Sequence, residues 1–205
     1  MRKKNVNMQI VEIVLGKKGK ITVYLDNGLS FPLYQKEAAG YHLEKGKEIS
    51  REQWIQIRTE ILDRRAKKRA MYLLQKMDRT EYQLRQKLEE NGYPREVVEC
   101  AVDYVKDYHY IDDFRYASGY IRSRQGQKSR LQLKISLQQK GVPGEVIARA
   151  LEEEYTDGEE GLILKLLEKK HYDPDTMEQK EKYKIYQYLM RKGFSGGMVR
   201  RLMGM

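Results

Sequence analysis

Residues 80–92 have the sequence TEYQLRQKLEENG, and residues 129–141 have the sequence SRLQLKISLQQKG. Each stretch opens with a hydroxyl residue followed three positions later by glutamine, the spacing of a capping box that satisfies free N–H groups at a helix start. Each then carries two leucines four residues apart and closes on a glycine, the residue that most easily takes the left-handed conformation at a helix end. The repetition predicts two copies of one capped helix, ending before Gly92 and Gly141.

The similarity continues on both sides of the capped helix. After the glycine, Tyr93-Pro94 corresponds to Val142-Pro143, and proline suits the first turn of a following helix. A third copy surrounds Gly193, although Glu181 stands at the capping position, so its helix start is predicted to be degraded or shifted. The fold is therefore predicted to be mainly α, with three tandem three-helix repeats in an elongated or crescent array. Because so small a unit cannot bury its apolar faces alone, neighbouring repeats are expected to stack.

The segment before the repeats has the alternating pattern of β-strands. Met8–Leu15, Ile21–Leu25 and Leu29–Leu33 predict a small antiparallel module of three strands, in which Asn27-Gly28 suits a type I′ turn and Pro32 indicates an edge strand. Ser50 and Gln53 then have the spacing of a helix start. The predicted domains are a small β module at 1–49, a linking helix with helical repeat 1 at 50–108, repeat 2 at 109–156 and repeat 3 at 157–205.

Positive charge is concentrated in two stretches of the chain. The 40 Lys and Arg residues exceed the 30 Asp and Glu residues, which leaves a net charge of +10 and favours an acidic partner such as nucleic acid. No acid occurs between Phe114 and Lys140, or between Arg64 and Met77. An ordinary solvated helix mixes charges of both signs, so the two stretches predict a partner-binding surface. The candidate binding residues are Arg64, Arg65, Lys67, Lys68, Arg115, Arg122, Arg124, Lys128, Arg130 and Lys134.

Catalytic and metal-binding patterns are not found. The three histidines lack partners at zinc-site spacing and are predicted to be ordinary surface or turn residues. Asp112-Asp113 is better explained as a helix cap than as a Mg²⁺ site. Cys100 lies among apolar residues, which predicts a packed thiol and a reducing compartment. No apolar run reaches the ~20 residues that cross a bilayer, and no secretory signal is indicated. The sequence therefore predicts a non-enzyme without cofactor or metal, located in the cytoplasm.

Several of these motifs together resemble the bacterial RecX family. They are Ala70–Gly92 with its R-T-E-x-x-L-x-x-K-L block, Tyr110–Phe114 followed by Tyr116-Ala117, and Lys140–Val142 with Ile147 and Ala150-Leu151. The similarity covers roughly residues 60–203. It implies three tandem three-helix repeats and a cytoplasmic regulator that binds the RecA–DNA filament and modulates, usually inhibits, its strand-exchange and ATPase activity.

A mechanism by occupancy follows from the resemblance and the charge together. The basic face would lie in the filament groove, with single- or double-stranded DNA and RecA as partners, no membrane contact, and the protein acting as a monomer. Tyr116 and Tyr120 either stack on bases or pack in the core. Two alternatives remain: a helix-turn-helix-like DNA-binding regulator, and a protein-binding helical-repeat adapter.

Overall fold

The computed structural model describes residues 7–156 and 158–205. The chain forms two compact units, one ending at Ile111 and the other beginning at Asp112. The first unit holds the β module and the first three-helix repeat, and the second unit holds the other two repeats. Within the described residues, no helix is both long enough and apolar enough to span a membrane.

The β module is a four-stranded antiparallel sheet with strand order β3-β2-β1-β4, so the prediction of three strands was wrong. The strands are β1 (Met8–Leu15), β2 (Lys20–Leu25), β3 (Ser30–Tyr34) and β4 (Glu48–Ile49), with the short helix α1 (Gln35–Gly40) between the last two. The fourth strand has only two residues, which pair with Met8 and Gln9. A segment this short has no periodicity of its own. The edge position predicted for the strand holding Pro32 is confirmed.

The hairpin turn also differs from the prediction. Gly28 has a positive φ of 84°, but Asn27 does not have a positive φ, and a type I′ turn requires one at both central residues. Instead, the Gly28 N–H donates to the Leu25 carbonyl at 3.1 Å and the Leu25 N–H donates to the Leu29 carbonyl at 2.8 Å. The connection is therefore a three-residue loop in which glycine alone takes the left-handed conformation.

The sheet packs on the helix that follows it. The rings of Phe31 and Trp54 lie 4.9 Å apart between centroids, and both side chains are buried. This helix begins at Ser50, whose hydroxyl accepts from the Gln53 N–H at 3.1 Å, as the sequence predicted. It continues without interruption as α2 (Arg51–Ile57), a π-helical stretch (Arg58–Leu62) and α3 (Asp63–Lys76). Buried residues of the sheet and of repeat 1 form one hydrophobic cluster.

Each repeat consists of three helices. Repeat 1 has α3, α4 (Glu81–Glu89) and α5 (Arg95–Asp107); repeat 2 has α6 (Asp113–Arg124), α7 (Arg130–Gln139) and α8 (Gly144–Glu154); repeat 3 has α9 (Glu159–Lys169), α10 (Gln179–Arg191) and α11 (Gly196–Met203). The capping boxes at Thr80 and Ser129 are confirmed, with both reciprocal hydrogen bonds present. In repeat 3 the helix start is shifted, because α10 begins after Glu178, which makes no side-chain cap.

Glycines and histidines share the left-handed positions at helix ends. Gly92, Gly141 and Gly193 have φ values of 82°, 78° and 87°, which confirms the repeat register. His42, His109 and His171 have φ values of 53°, 55° and 50° just after α1, α5 and α9. Each histidine N–H donates to the carbonyl three residues back, and the next N–H reaches the carbonyl five residues back, the pattern of a Schellman motif. The three histidines therefore end helices, in agreement with their prediction as turn residues.

Repeats 2 and 3 have separate hydrophobic cores and meet at helix ends. One buried cluster contains Leu133, Leu137 and Ile147, and the other contains Leu189, Phe194 and Val199. The Ser129 hydroxyl, which caps α7, also donates to the Lys192 carbonyl at the end of α10, at 2.5 Å. Stacking of these two repeats is thus present, but each repeat buries much of its apolar surface within itself.

Candidate nucleic-acid interface

The acid-free stretch of residues 114–140 forms α6, α7 and the loop between them, all within repeat 2. The Asp112 carboxylate accepts from the N–H groups of Phe114 and Arg115 at 2.8 and 3.0 Å, and so caps α6 as predicted. The hydroxyl of Ser129 caps α7. Both helices are therefore started by local side-chain hydrogen bonds, which position the basic residues that follow.

Two of the predicted binding residues in repeat 2 are engaged within the repeat. Arg122 forms an ion pair with Glu154 at 2.6 Å, which joins α6 to the end of α8. The Arg130 guanidinium donates to the Leu151 carbonyl at 3.3 Å and lies 5.8 Å from the centre of the Tyr155 ring. Their charges still contribute to the surface potential, because both residues remain exposed. Removing either side chain would also weaken helix packing.

Lys128 is held by contacts within repeat 2. Its ammonium group donates to the Tyr120 hydroxyl at 3.0 Å and to the Ser136 hydroxyl at 2.8 Å. It lies 5.5 Å from the centre of the Tyr120 ring, and Lys140 lies at the same distance from that ring. The three residues of this hydrogen-bonded network are half-buried. Replacing Lys128 would therefore disturb packing as well as charge.

These nearby positive charges lower the pKa of the Tyr120 phenol. Burial raises its pKa, but hydrogen bonds from Lys128 and Ser136 and the charges of Lys128 and Lys140 outweigh burial, so the pKa of Tyr120 lies below its ordinary value. The surroundings of the phenol oxygen thus favour negative charge.

Three further predicted residues of repeat 2 are exposed: Arg115, Arg124 and Lys134. Arg124 makes only a long hydrogen bond of 3.5 Å to the Gln127 amide. Lys134 lines an open groove with Arg130, Ile147 and Glu152, among other residues of α7 and α8. Arg124 and Lys134 form no ion pair with a described residue, so no carboxylate in the described part of the chain neutralises their charges.

The basic stretch of repeat 1 divides in the same way. Arg65 forms an ion pair with Glu37, donates to the Pro32 carbonyl at 3.5 Å and lies 4.9 Å from the Tyr34 ring centre, so it fastens α3 to the β module. Lys67 lies 5.1 Å from the Tyr104 ring centre. Arg64 and Lys68 are exposed and make no ion pair with a described residue.

The aromatic residues of this region pack rather than project. Tyr116 and Tyr120 are partly buried against the core of repeat 2, which confirms the packing alternative. The sequence analysis did not identify Ser136 or Lys140 as site residues. Lys128 precedes α7, Ser136 lies within it and Lys140 follows it. Only the packing of α6 against α7 shows that these residues converge on Tyr120.

Within the described ranges, no cluster of three His, Cys, Asp or Glu side chains could hold a metal ion. Cys100 is half-buried beside a groove that Lys67, Glu96 and Asp103 also line.

Comparisons with known proteins agree with the three-repeat architecture. Family models for the first, second and third three-helix domains of RecX match residues 66–104, 112–151 and 159–203, respectively. These matches fall on the helices of repeats 1, 2 and 3.

Individual relatives cover most of the chain. A regulatory protein RecX from Caldanaerobacter subterraneus is 31% identical over 180 residues, which span 87% of this chain and 89% of the relative. One from Clostridium acetobutylicum is 29% identical and covers 90% of this chain and 89% of its own. A crystal structure of a regulatory protein RecX superposes with a TM-score of 0.62 at 28% identity and covers 97% of this chain and 100% of the other.

Proposed function

The chain belongs to the RecX family of regulatory proteins, and from this premise we propose that it binds the RecA–DNA filament and inhibits RecA ATPase and strand-exchange activity. The protein acts as a non-catalytic monomer in the bacterial cytoplasm. Family membership over all three repeats carries the proposal, and the regulatory role in the names of the relatives supports it.

The charge of repeat 2 supports contact with the nucleic acid of the filament. No acid interrupts residues 114–140, and the exposed cations Arg124 and Lys134 have no ion pair to give up on binding. Phosphates that pair with such side chains release condensed counterions, so the affinity falls as salt rises. The same cations suit acidic protein surface in the filament.

The mechanism is occupancy of the filament groove. Bound protein contacts the DNA backbone and RecA protomers at once, and so blocks the groove to a second DNA strand and restrains the protomer movements that accompany ATP hydrolysis. Inhibition of this kind needs no reacting group. It requires only that binding be tight enough to persist through RecA turnover.

The direct test measures RecA ATPase on single-stranded DNA while this protein is titrated. The rate should fall as the protein approaches the concentration of its filament sites, and it should recover at raised salt. No effect at a molar excess over RecA would refute the proposal. Regulation without RecA at one two-fold symmetric duplex would instead indicate the helix-turn-helix alternative, and salt-insensitive binding to a protein alone would indicate the adapter alternative.

Matched variants separate charge from folding. The double variant Arg124→Gln/Lys134→Gln removes two exposed cations from repeat 2, and the control Lys165→Gln/Lys184→Gln removes two exposed cations from repeat 3. Both lose the same net charge. The first should raise the concentration needed for half-inhibition and reduce the steepness of its salt dependence, while the control should behave as the unmodified protein. Equal effects of the two would show that net charge alone, and not the repeat 2 surface, governs binding.

A further inference from the structure

Two hydroxyl groups and two lysines converge between α6 and α7. Lys128 Nζ lies 3.0 Å from Tyr120 Oη and 2.8 Å from Ser136 Oγ. An ammonium group has three N–H donors and no acceptor, so both hydroxyl oxygens accept from it. One N–H of Lys128 therefore remains for another acceptor.

The hydroxyl protons extend this argument. Ser136 is also hydrogen-bonded to Tyr120, and because the Ser136 oxygen accepts from Lys128, its O–H is left to donate to the Tyr120 oxygen. The Tyr120 oxygen then accepts from both Lys128 and Ser136, and its own O–H is left as a donor. The cluster consequently presents two adjacent donors, the Tyr120 O–H and the third Lys128 N–H.

The electrostatic surroundings match an anion. Lys128 and Lys140 each lie 5.5 Å from the centre of the Tyr120 ring. In the described part of the chain, no carboxylate oxygen lies within ion-pair distance of Lys128 Nζ. An oxygen that carries negative charge and only accepts hydrogen bonds is the group that completes such a cluster.

We propose that Tyr120, Lys128 and Ser136, with the charge of Lys140, form a binding site for one phosphate group of a nucleic-acid backbone. This inference deepens the proposed function, because it assigns one contact of the DNA-binding surface. Lys128 and Tyr120 donate to phosphate oxygens, Ser136 holds both in position, and Lys140 adds long-range attraction. Tyr120 contributes its hydroxyl to this contact while its ring stays packed in repeat 2.

The test measures affinity for a single-stranded oligonucleotide across a range of salt concentrations, without RecA. Tyr120→Phe removes the hydroxyl and keeps the ring, and should weaken binding about ten-fold, the effect of one hydrogen bond to a charged group. Lys128→Gln should also reduce the slope of log affinity against log salt by about 0.7, as expected for one phosphate contact on a single strand. Lys165→Gln, in repeat 3, is the control and should leave the slope nearer to that of the unmodified protein.

Inorganic phosphate identifies the source of the anion. Titration of phosphate alone should shift the NMR signals of the Tyr120 ring only at millimolar concentrations, and the oligonucleotide should shift them at far lower concentrations. Signals that respond equally to both would overturn the assignment to a nucleic-acid backbone. Circular dichroism checks that each variant folds. If Lys128→Gln does not fold, Ser136→Ala replaces it. Ser136→Ala leaves the charge intact and should weaken oligonucleotide binding less than Tyr120→Phe.

The outcomes separate this inference from the proposed function. If Tyr120→Phe and Lys128→Gln leave the oligonucleotide affinity and its salt dependence unchanged, the phosphate-binding site is refuted, even where RecA inhibition persists. If the two variants weaken oligonucleotide binding while the unmodified protein has no effect on RecA, the phosphate-binding site is supported and the proposed function is refuted.

Discussion

Gly193 is the position at which a single methyl group should report the contact between repeats 2 and 3. Its φ is 87°, and a Cβ added there would lie 2.7 Å from Leu131 Cδ2 and 2.8 Å from Leu131 Cβ. The left-handed conformation costs a residue other than glycine about 1–2 kcal/mol. The Leu131 Cβ cannot move without α7, and such overpacking costs about 1–3 kcal/mol. Gly193→Ala should therefore destabilise by about 2–5 kcal/mol.

Gly92→Ala is the matched control. Gly92 has a similar φ of 82°, but its added Cβ would meet Pro32 Cγ at 3.9 Å and Pro32 Cδ at 4.0 Å, which are ordinary contacts. Only the conformational cost applies, so the loss should be about 1–2 kcal/mol. The difference between the two variants isolates the clash with Leu131.

Urea unfolding followed by circular dichroism measures both losses, and the fluorescence of Trp54, the single tryptophan, reports the first unit separately. Gly92→Ala should shift the fluorescence transition to lower urea, and Gly193→Ala should shift the dichroism transition while leaving the Trp54 transition near its original midpoint. A loss for Gly193→Ala no larger than that for Gly92→Ala would refute the close approach of α7 to the end of α10.

Three other expectations concern stability and truncation. Burial raises the pKa of Glu81, but hydrogen bonds from Lys106 and Arg85 outweigh burial, so the pKa is lowered. The stabilisation that results is present above the ordinary carboxyl pKa and is lost as pH falls below it. Glu81→Gln should therefore flatten the decline in the free energy of unfolding measured from about pH 5 to 3. His171→Gly should stabilise by about 1 kcal/mol in thermal unfolding, because His171 is exposed with a φ of 50°; an unchanged or lower midpoint would contradict this. A fragment starting at Ser50 should remain helical by circular dichroism, show red-shifted Trp54 emission after losing Phe31, be less stable and keep some RecA modulation. A helical fragment without any RecA effect would place an essential contact in the β module.

The repeat architecture was predictable because its signals are local. A capping box links residues three apart, and a helix face repeats every three to four residues, so Thr80, Ser129 and the following leucines define the helices without any distant contact. The glycines at 92, 141 and 193 mark helix ends for the same reason. The capping boxes and the positive φ of the three glycines in the structure confirm the register of the repeats.

Short or conformationally unusual elements were harder to predict. The strand at Glu48–Ile49 exists only because Met8 and Gln9 pair with it across the sheet. The three histidines were predicted as turn residues, but their left-handed backbone follows from how each helix is terminated, and histidine is not the residue that usually marks such a position.

The sequence by itself determined where the positive charge lies, because the absence of Asp and Glu from residues 114–140 is a property of composition. Only the tertiary structure decided how each charge is used. Arg65 is tied to Glu37 and Lys128 to Tyr120 and Ser136, while Arg124 and Lys134 stay exposed. The reason is geometric. Helix periodicity determines the face of its own helix on which a side chain lies. The side chain that it contacts belongs to another element, and only the packing of the two elements brings the two side chains together.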